Sequence, residues 1–461
     1  MGPEFMPVRL LFMTQKKVVV FWFRRDLRLV DNNGLTQALQ LCRDSGAEFF
    51  PLFIFDKTIL SKLRSEDARV TFIFNTVTEL KKQLKIYKVE LNTFFDEPKR
   101  VFEQVQKHYQ MQAIIANGDY EPTALKRDEE ISQFAQQHGS QFLTFKDQVV
   151  FEKQDVQTDA GKPYTVFTPY KKKWLATLNR KALQEFKPDF TEIKVARAVG
   201  AIEKLEDLGF KKSMLAFPDK IVTDKIIKNY AETRNFPALN SGTSHLGLHL
   251  RFGTVSVRRL VDWSSKLSEV WLSELIWREF FMQILWNFPH VQTKSFRPIY
   301  ENIKWRNDND DFKRWKAGET GYPLVDAGLR QLVATGHMHN RVRMVTASFL
   351  TKHLLQHWLY GERFFAEHLL DYDLSANNGN WQWAAGTGCD AAPYFRVFNP
   401  QTQAEKFDPN LEYIKKWVPE YGTKKYPEPM VDHKLARVRC LRAYKEGLGK
   451  TDSVILEGDL L

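Results

Sequence analysis

Between residues 16 and 150 the hydrophobic pattern switches period repeatedly, and few folds are compatible with that. Val18-Val-Val-Phe-Trp-Phe23 and Phe49-Phe-Pro-Leu-Phe-Ile-Phe55 are continuous apolar runs, as expected of strands buried on both faces. Leu91 to Phe95, Ala113 to Ala116 and Phe142 to Phe145 supply three more strands. Helical spacing fills the gaps. One stretch carries Leu35, Ala38 and Leu39 on one face. A long one runs from Ser65 to Lys85, with Ser65 as its expected cap, and others lie around Pro98–Tyr109 and Pro122–His138. Strict alternation implies a doubly wound, parallel, five-stranded α/β domain over 16–150. Residues 151–214 are mixed and include Lys171-Lys-Lys173, which suggests a long interdomain linker with some helix. From 215 to 461 the strand pattern is gone and helical periodicity dominates, as in Trp271-Leu-Ser-Glu-Leu-Ile-Trp-Arg-Glu-Phe-Phe281, so a larger all-helical domain is expected. Met1 to Phe5 reads as a cloning scar ahead of Met6, and residues 1–15 are set aside as an extension.

The first strand is not followed by G-x-G-x-x-G, and no phosphate-cradling Walker loop occurs, so an ordinary dinucleotide or P-loop site is not indicated. In its place stands Arg24-Arg25-Asp26-Leu27-Arg28, followed by Asp31-Asn-Asn33. These charges lie where open α/β sheets usually hold ligands; a solvated loop is the plainer alternative. The net charge is +11, from 67 basic and 56 acidic residues. Such a surplus suits a polyanionic partner, nucleic acid first. The three cysteines, Cys42, Cys389 and Cys440, are too few and too far apart for a disulfide framework or a cysteine zinc site. They suit a reducing cytoplasm. No apolar run approaches the ~20 residues of a membrane span, and a cytoplasmic monomer without an obligate protein partner is expected.

Two segments are unusual. Ten of the twelve tryptophans lie after residue 215, many beside Arg, Asn or Glu. They form either an aromatic-rich core or a stacking and redox surface beside a cofactor. Asp371-Tyr-Asp-Leu-Ser-Ala-Asn-Asn-Gly-Asn-Trp-Gln-Trp-Ala-Ala-Gly386 is too polar for a helix core and too aromatic for a solvent loop. Irregular backbone wrapped around a ligand is the expectation there. In Gly336-His-Met-His-Asn-Arg-Val-Arg-Met344, Arg341 and Arg343 are two apart and diverge on a helix, so that one can reach a phosphate while the other pairs inward.

These segments resemble the photolyase/cryptochrome family, and within it the bacterial class I cyclobutane pyrimidine dimer (CPD) photolyases. The likeness runs from Phe21-Trp-Phe-Arg-Arg-Asp-Leu-Arg-Leu-Val-Asp-Asn32 to Tyr394-Phe-Arg-Val-Phe-Asn-Pro-Gln-Thr-Gln-Ala-Glu-Lys-Phe-Asp408. Its most specific parts are Trp315-Lys-Ala-Gly-Glu-Thr-Gly-Tyr-Pro-Leu-Val-Asp-Ala-Gly328 and Asn377-Asn-Gly-Asn-Trp-Gln-Trp383. The resemblance implies a folded FAD, active as FADH⁻, in the helical domain. Its binding positions here are Tyr230, Thr243, Ser244, His245, Leu246, Gly247, Trp271, Arg278, Arg343, Asp371, Tyr372 and Asp373, with Asn377 facing flavin N5. A neutral amide at that position can bond N5 in either redox state and is the repair-type choice, where plant cryptochromes carry Asp and animal ones Cys. Trp381, Trp358 and Trp305 match the electron-relay triad. Glu274, Trp277, Asn340, Arg341, Met344 and Trp383 match the lesion pocket, and Arg234 and Gln403 match contacts to the DNA backbone.

The implied function is light-driven repair of pyrimidine dimers in UV-damaged DNA. Enzymes of the (6-4) type use two histidines where this chain has Asn340 and Met344, which favours dimer splitting. A cryptochrome photoreceptor is the alternative, disfavoured by Asn377, by the full pocket and by the short stretch after Asp408, in which Lys434 to Leu448 reads as a basic helix. A single-strand-preferring DASH type fits less well in the Asn377–Trp383 segment. Family members often carry an antenna chromophore, a folate or a deazaflavin. Glu121, in Asp119-Tyr-Glu-Pro122, matches a folate-contacting Glu, but the accompanying Cys-Lys pair is not recognisable in Val291-Gln-Thr-Lys-Ser-Phe-Arg-Pro298.

Overall fold

The computed structural model describes residues 15–450; the N-terminal stretch read as a scar lies outside them. Five strands form one parallel sheet: β1 (Lys17–Phe23), β2 (Glu48–Asp56), β3 (Asn92–Asp96), β4 (Gln110–Asn117) and β5 (Gln141–Phe145), in the order β3-β2-β1-β4-β5. The crossover helices are α1 (Asn33–Ser45), α2 (Ala68–Lys85), α3 (Pro98–His108) and α4 (Pro122–Gln137). The central β1 is fully apolar after Lys17 because helices cover both faces. Helix α2 starts later than expected. Asp67, not Ser65, caps it, accepting from the Arg69 amide at 2.9 Å.

Residues 151–214 do more than connect. They contribute α5 (Phe167–Thr177), whose Phe167, Tyr170 and Trp174 enter the core of the helical region, and Val195 bridges in parallel to Phe49. Glu279, buried on α6 (Glu269–Asn287), accepts from the Val150 and Phe151 amides and from Trp174 Nε1 at 2.6 Å. The helical region is otherwise built mainly from α7 (Pro323–Thr335), α8 (Asn340–Ser348), α9 (Trp358–His368), α10 (Leu374–Ala385), α11 (Pro400–Phe407) and α12 (His433–Gly447).

Two expectations are corrected here. The segment from Asp371 to Gly386 is not irregular: most of it is α10. Asp373 caps the helix through Ser375 and Ala376, and Gly386 closes it in a left-handed conformation. Its amides are satisfied at long range, Asn378 and Gln382 both donating to the Val291 carbonyl, at 2.8 and 3.0 Å. The charged loop after β1 is neither solvated nor open. Arg28 and Arg258 clasp Asp147 at 2.8 and 2.7 Å, and Arg258 also holds Asp31 at 3.0 Å, with all four side chains at most 8% exposed. This loop is the seam between the two regions.

Candidate functional site

Helices α8, α9 and α10 converge on a cleft lined by Asn340, Arg343, Met344, Phe365, Asp371, Tyr372, Asp373, Asn377, Trp381 and Trp383. The spacing of α10 puts Asn377, Trp381 and Ala384 on one face, toward the cleft. Its cavity volume is about 90 Å³, and it opens to solvent. Arg343 Nη2 donates to both oxygens of Asp371, at 3.1 and 2.9 Å, and its Nε donates to the Met338 carbonyl. The pair is a fixed dipole at the cleft edge. Burial and the nearby Arg343 keep His337 and His339 neutral, their pKa values pulled down to about 3 and about 4.

The Thr243–Gly247 turn abuts this edge. A Cβ on Gly247 would lie 2.6 Å from Asp371 Oδ2, so only glycine admits the approach. His245 has φ +53°, its Nε2 lies 3.0 Å from the Asn240 carbonyl, and its ring is 4.9 Å from that of His337. Leu246 is buried behind the turn, while Ser244 is half-buried. Asp373 has two roles. Besides capping α10 it accepts from Arg25 and Arg251, and burial, which alone would raise its pKa, is outweighed by Arg25, Arg251 and Arg278.

Three positions matched to the cofactor stand apart from the cleft lining. Trp271 is buried against Trp263, ring centroids 6.3 Å apart. Tyr230 lies under the Arg234 guanidinium at 5.2 Å, and Arg278 donates to the Gln148 and Leu250 carbonyls. Asn377 gives Nδ2 to Glu362 twice, to the backbone carbonyl at 3.0 Å and to Oε1 at 2.9 Å, and the Tyr372 hydroxyl reaches the same Oε1 at 3.4 Å.

A second group of residues is linked by Arg234, Asn235 and Arg341. Arg234, matched to DNA backbone contact, is ion-paired with Glu274, whose carboxyl burial holds above its ordinary pKa. Arg341 donates to Asn235 Oδ1 at 2.7 Å and lies 4.4 Å over the Phe407 ring, leaving its buried Nε without a partner. Gln403, on α11 with Phe407, has an unpartnered buried Oε1. Trp277 stacks on Phe167 with centroids 3.6 Å apart and planes 7° from parallel. Phe167 was not singled out from the sequence; it is 110 residues from Trp277, and no local pattern links them.

Of the three relay tryptophans, Trp381 and Trp358 are buried and Trp305 is half-buried. Their indoles do not contact one another. His357 lies between Trp305 and Trp358, 5.4 and 5.6 Å from their rings, whereas Trp381 meets Trp315 at 6.3 Å. Gly361 makes room for Trp381, since a Cβ there would lie 2.1 Å from its ring. Glu121 faces the seam, pairing with Arg25 at 2.8 Å and Arg251 at 2.6 Å. Among the described residues no group of His, Cys, Asp or Glu forms a metal site, and no helix is long and apolar enough to cross a membrane.

A parallel α/β domain clasped to a helical domain with a polar, tryptophan-lined cleft defines a two-domain cofactor-binding class. The comparisons make this specific. A family model described as DNA photolyase matches residues 19–189, and one described as the FAD binding domain of DNA photolyase matches residues 271–423. The deoxyribodipyrimidine photo-lyase of Vibrio cholerae is 36% identical, covering 93% of this chain and 99% of its own. A class III photolyase from Agrobacterium tumefaciens superposes with TM-score 0.81 at 31% identity, covering 96% of this chain and all of that one. An archaeal photolyase from Sulfolobus tokodaii, described with two FAD molecules, gives 0.78 at 33%, covering 93% and 100%. The chain belongs to the DNA photolyase family. Likeness extending to a class III structure defines the family and not the class I subclass expected from sequence.

Proposed function

We propose that this chain repairs cyclobutane pyrimidine dimers in UV-damaged DNA with light, as a cytoplasmic monomer. The observation that carries this reading is the composition of the cleft: the Asn377 amide, the Arg343–Asp371 pair, and Asn340, Met344 and Trp383 at the mouth, with no histidine at 340 or 344. The cleft's donor set fits FAD. Arg343 supplies a cation near the site of ring charge, and the Thr243–Gly247 turn supplies hydroxyls and amides for a pyrophosphate. When bound and fully reduced, FAD supplies an excited electron to the dimer and takes it back.

The protein's residues bind and orient. Trp277 and Trp383 offer flat faces to a flipped dimer, and the Phe167 stack holds Trp277 flat. Glu274 and Asn340 hydrogen-bond the pyrimidine edges. Arg234 pairs with Glu274 and orients it before meeting DNA. Arg341 meets the lesion and Gln403 the DNA backbone. Trp381, Trp358 and Trp305 deliver electrons that keep the cofactor reduced, with Trp305 at the surface. An antenna chromophore would meet Glu121 beside Arg25 and Arg251. The Sulfolobus relative described with two FAD molecules supports a flavin as a third candidate beside folate and deazaflavin. The test is repair of a single thymine-dimer duplex by the reduced protein under blue light and in darkness. Light-dependent restoration of thymines is expected; FAD-loaded protein that leaves the dimer intact in light overturns the reading.

A further inference from the structure

Helix α5 begins without a local cap. The first amides of a helix need acceptors from outside it, and the side chain just before the first turn usually supplies one. Here that residue is Val166, which has none to give. The acceptor comes from far along the chain. Asp390 Oδ2 takes the hydrogen of the Phe167 amide at 2.9 Å, across 223 positions. Its negative charge also suits the positive end of the helix. Among the described residues this is the one hydrogen bond that the Asp390 carboxylate accepts. Phe167 and Asp390 are each fixed to a wall of the lesion pocket. Phe167 stacks on Trp277 of α6, centroids 3.6 Å apart. Asp390 ends a tight loop that folds back on the last turn of α10. The Thr387 and Gly388 amides both donate to the Gln382 carbonyl, at 3.0 and 3.2 Å, and a Cβ on Gly388 would lie 3.3 Å from the Trp383 nitrogen. Cys389, in the same loop, is buried in the core that holds Phe167, Phe280 and Phe281.

Helices α6 and α10 also meet directly, where a Cβ on Gly379 would lie 2.1 Å from the Phe281 ring. Trp277 is one turn from Phe281 on α6, and Trp383 is one turn from Gly379 on α10. Helices packed at a crossing keep some freedom to rock about it, and a tie away from the crossing removes that freedom. We propose that Asp390 is a positioning residue that sets the gap between Trp277 and Trp383, so that the pocket discriminates a fused pyrimidine dimer from ordinary bases. This rests on the reading of those two tryptophans as the faces that receive the dimer. A dimer is a rigid two-ring wedge. Walls already held at one spacing take it without an ordering cost, whereas walls that rock must be ordered on binding. Undamaged duplex is held by its backbone and leaves the pocket empty, so its binding does not feel the tie.

The test is made on FAD-loaded, chemically reduced protein. Asp390→Ala leaves the Phe167 amide without its acceptor. It should weaken binding of a dimer-containing duplex about 5- to 10-fold and leave undamaged duplex within about twofold of the parent. KM for the dimer should rise in step, while the repair rate at saturating dimer stays within about twofold. Asp390→Asn keeps an acceptor oxygen and should bring binding back to within about twofold of the parent. In a Trp277→Ala background, Asp390→Ala should add less than about twofold, since the wall it positions is gone. Unchanged dimer affinity in the Ala variant overturns the proposal. Equal losses on both duplexes, as for a merely structural residue, overturn it too, as does an undiminished effect without Trp277. If Asp390→Ala does not fold, hydrogen exchange of the parent decides. Segments 163–170 and 387–394 should gain protection together on dimer-containing duplex and not on undamaged duplex; any other pattern overturns the tie. A parent that loads FAD yet binds damaged and undamaged duplex equally would instead overturn the function proposed above.

Discussion

The seam and the cleft are both rich in buried polar groups, and they handle them in opposite ways. At the seam, Arg28, Arg258, Asp31 and Asp147 answer one another, as do Arg25, Glu121, Arg251 and Asp373. Around the cleft and the relay the polar atoms are left over: Nε1 of Trp358 and Trp381, His339 Nε2, Arg341 Nε, Gln403 Oε1. A buried group with every partner supplied from within the chain holds the architecture; a buried group without one needs a separate explanation. The charged loop after β1 and the segment 371–386 looked equally suggestive in sequence; the first is closed by ion pairs, and the second lines an open cleft.

The sharpest way to break this contrast is at the seam. Arg258→Ala leaves Asp31 and Asp147 short of a partner in a dry site and should cost ~3–5 kcal/mol, read as a lowered denaturation midpoint, with flavin spectra of the surviving folded protein unchanged. A loss below ~1 kcal/mol would mean the seam is wetter than its burial implies. Next in size is acid lability. His337, His339 and His353 are buried with pKa values lowered to about 3, about 4 and about 3, so each is neutral in the folded chain and protonates more readily when unfolded. Their contribution is fully present above pH 6.5 and is lost as pH falls through that value toward 4. The slope should approach ~4 kcal/mol per pH unit, measured by denaturant titrations at stepped pH.

The remaining two concern the cleft. Trp381→Phe keeps the packing against Phe365 and Gly361 but removes the oxidisable indole. Photoreduction of bound FAD should fall at least ~100-fold (a barrier increase of ~2.7 kcal/mol), while repair after dithionite reduction stays near parental. If Trp315, the one tryptophan in ring contact with Trp381, carries current instead, the Trp381 variant will photoreduce normally. Smallest is Arg341→Ala: ~10-fold weaker binding of dimer-containing duplex and less on undamaged duplex, in titrations at fixed salt, if Arg341 contacts the lesion itself. Equal losses on both would make it a general phosphate contact.

What the sequence made legible was whatever is written in neighbouring residues. The alternation of β1 to β5 with helices needed only period, and Lys434–Leu448 read as the helix that is α12, His433–Gly447. The polar-aromatic character of 371–386 marked the cleft, but its helical form did not follow from composition. The residues that satisfy Asn378 and Gln382 lie at Val291, and that partner for Asn377 lies at Glu362. The same holds for Phe167 beneath Trp277 and for Glu121 between two arginines. Side-chain partnership over tens to hundreds of residues leaves no periodic trace, so a residue's type was readable where its employment was not.

Asp373 bears on how this molecule can be taken apart and recombined. It is the first anchor of the helix that carries Asn377, Trp381 and Trp383, and one of its two cations, Arg25, is supplied by the loop after β1. A chimera that joins this helical half to a foreign α/β half inherits the cleft's sequence but not the hand that steadies it. Grafts should therefore be cut so that Arg25, Asp119 and Glu121 travel with Arg251 and Asp373, and the portable unit is this five-residue clasp with its helix, drawn across what the chain order would mark as two separate parts.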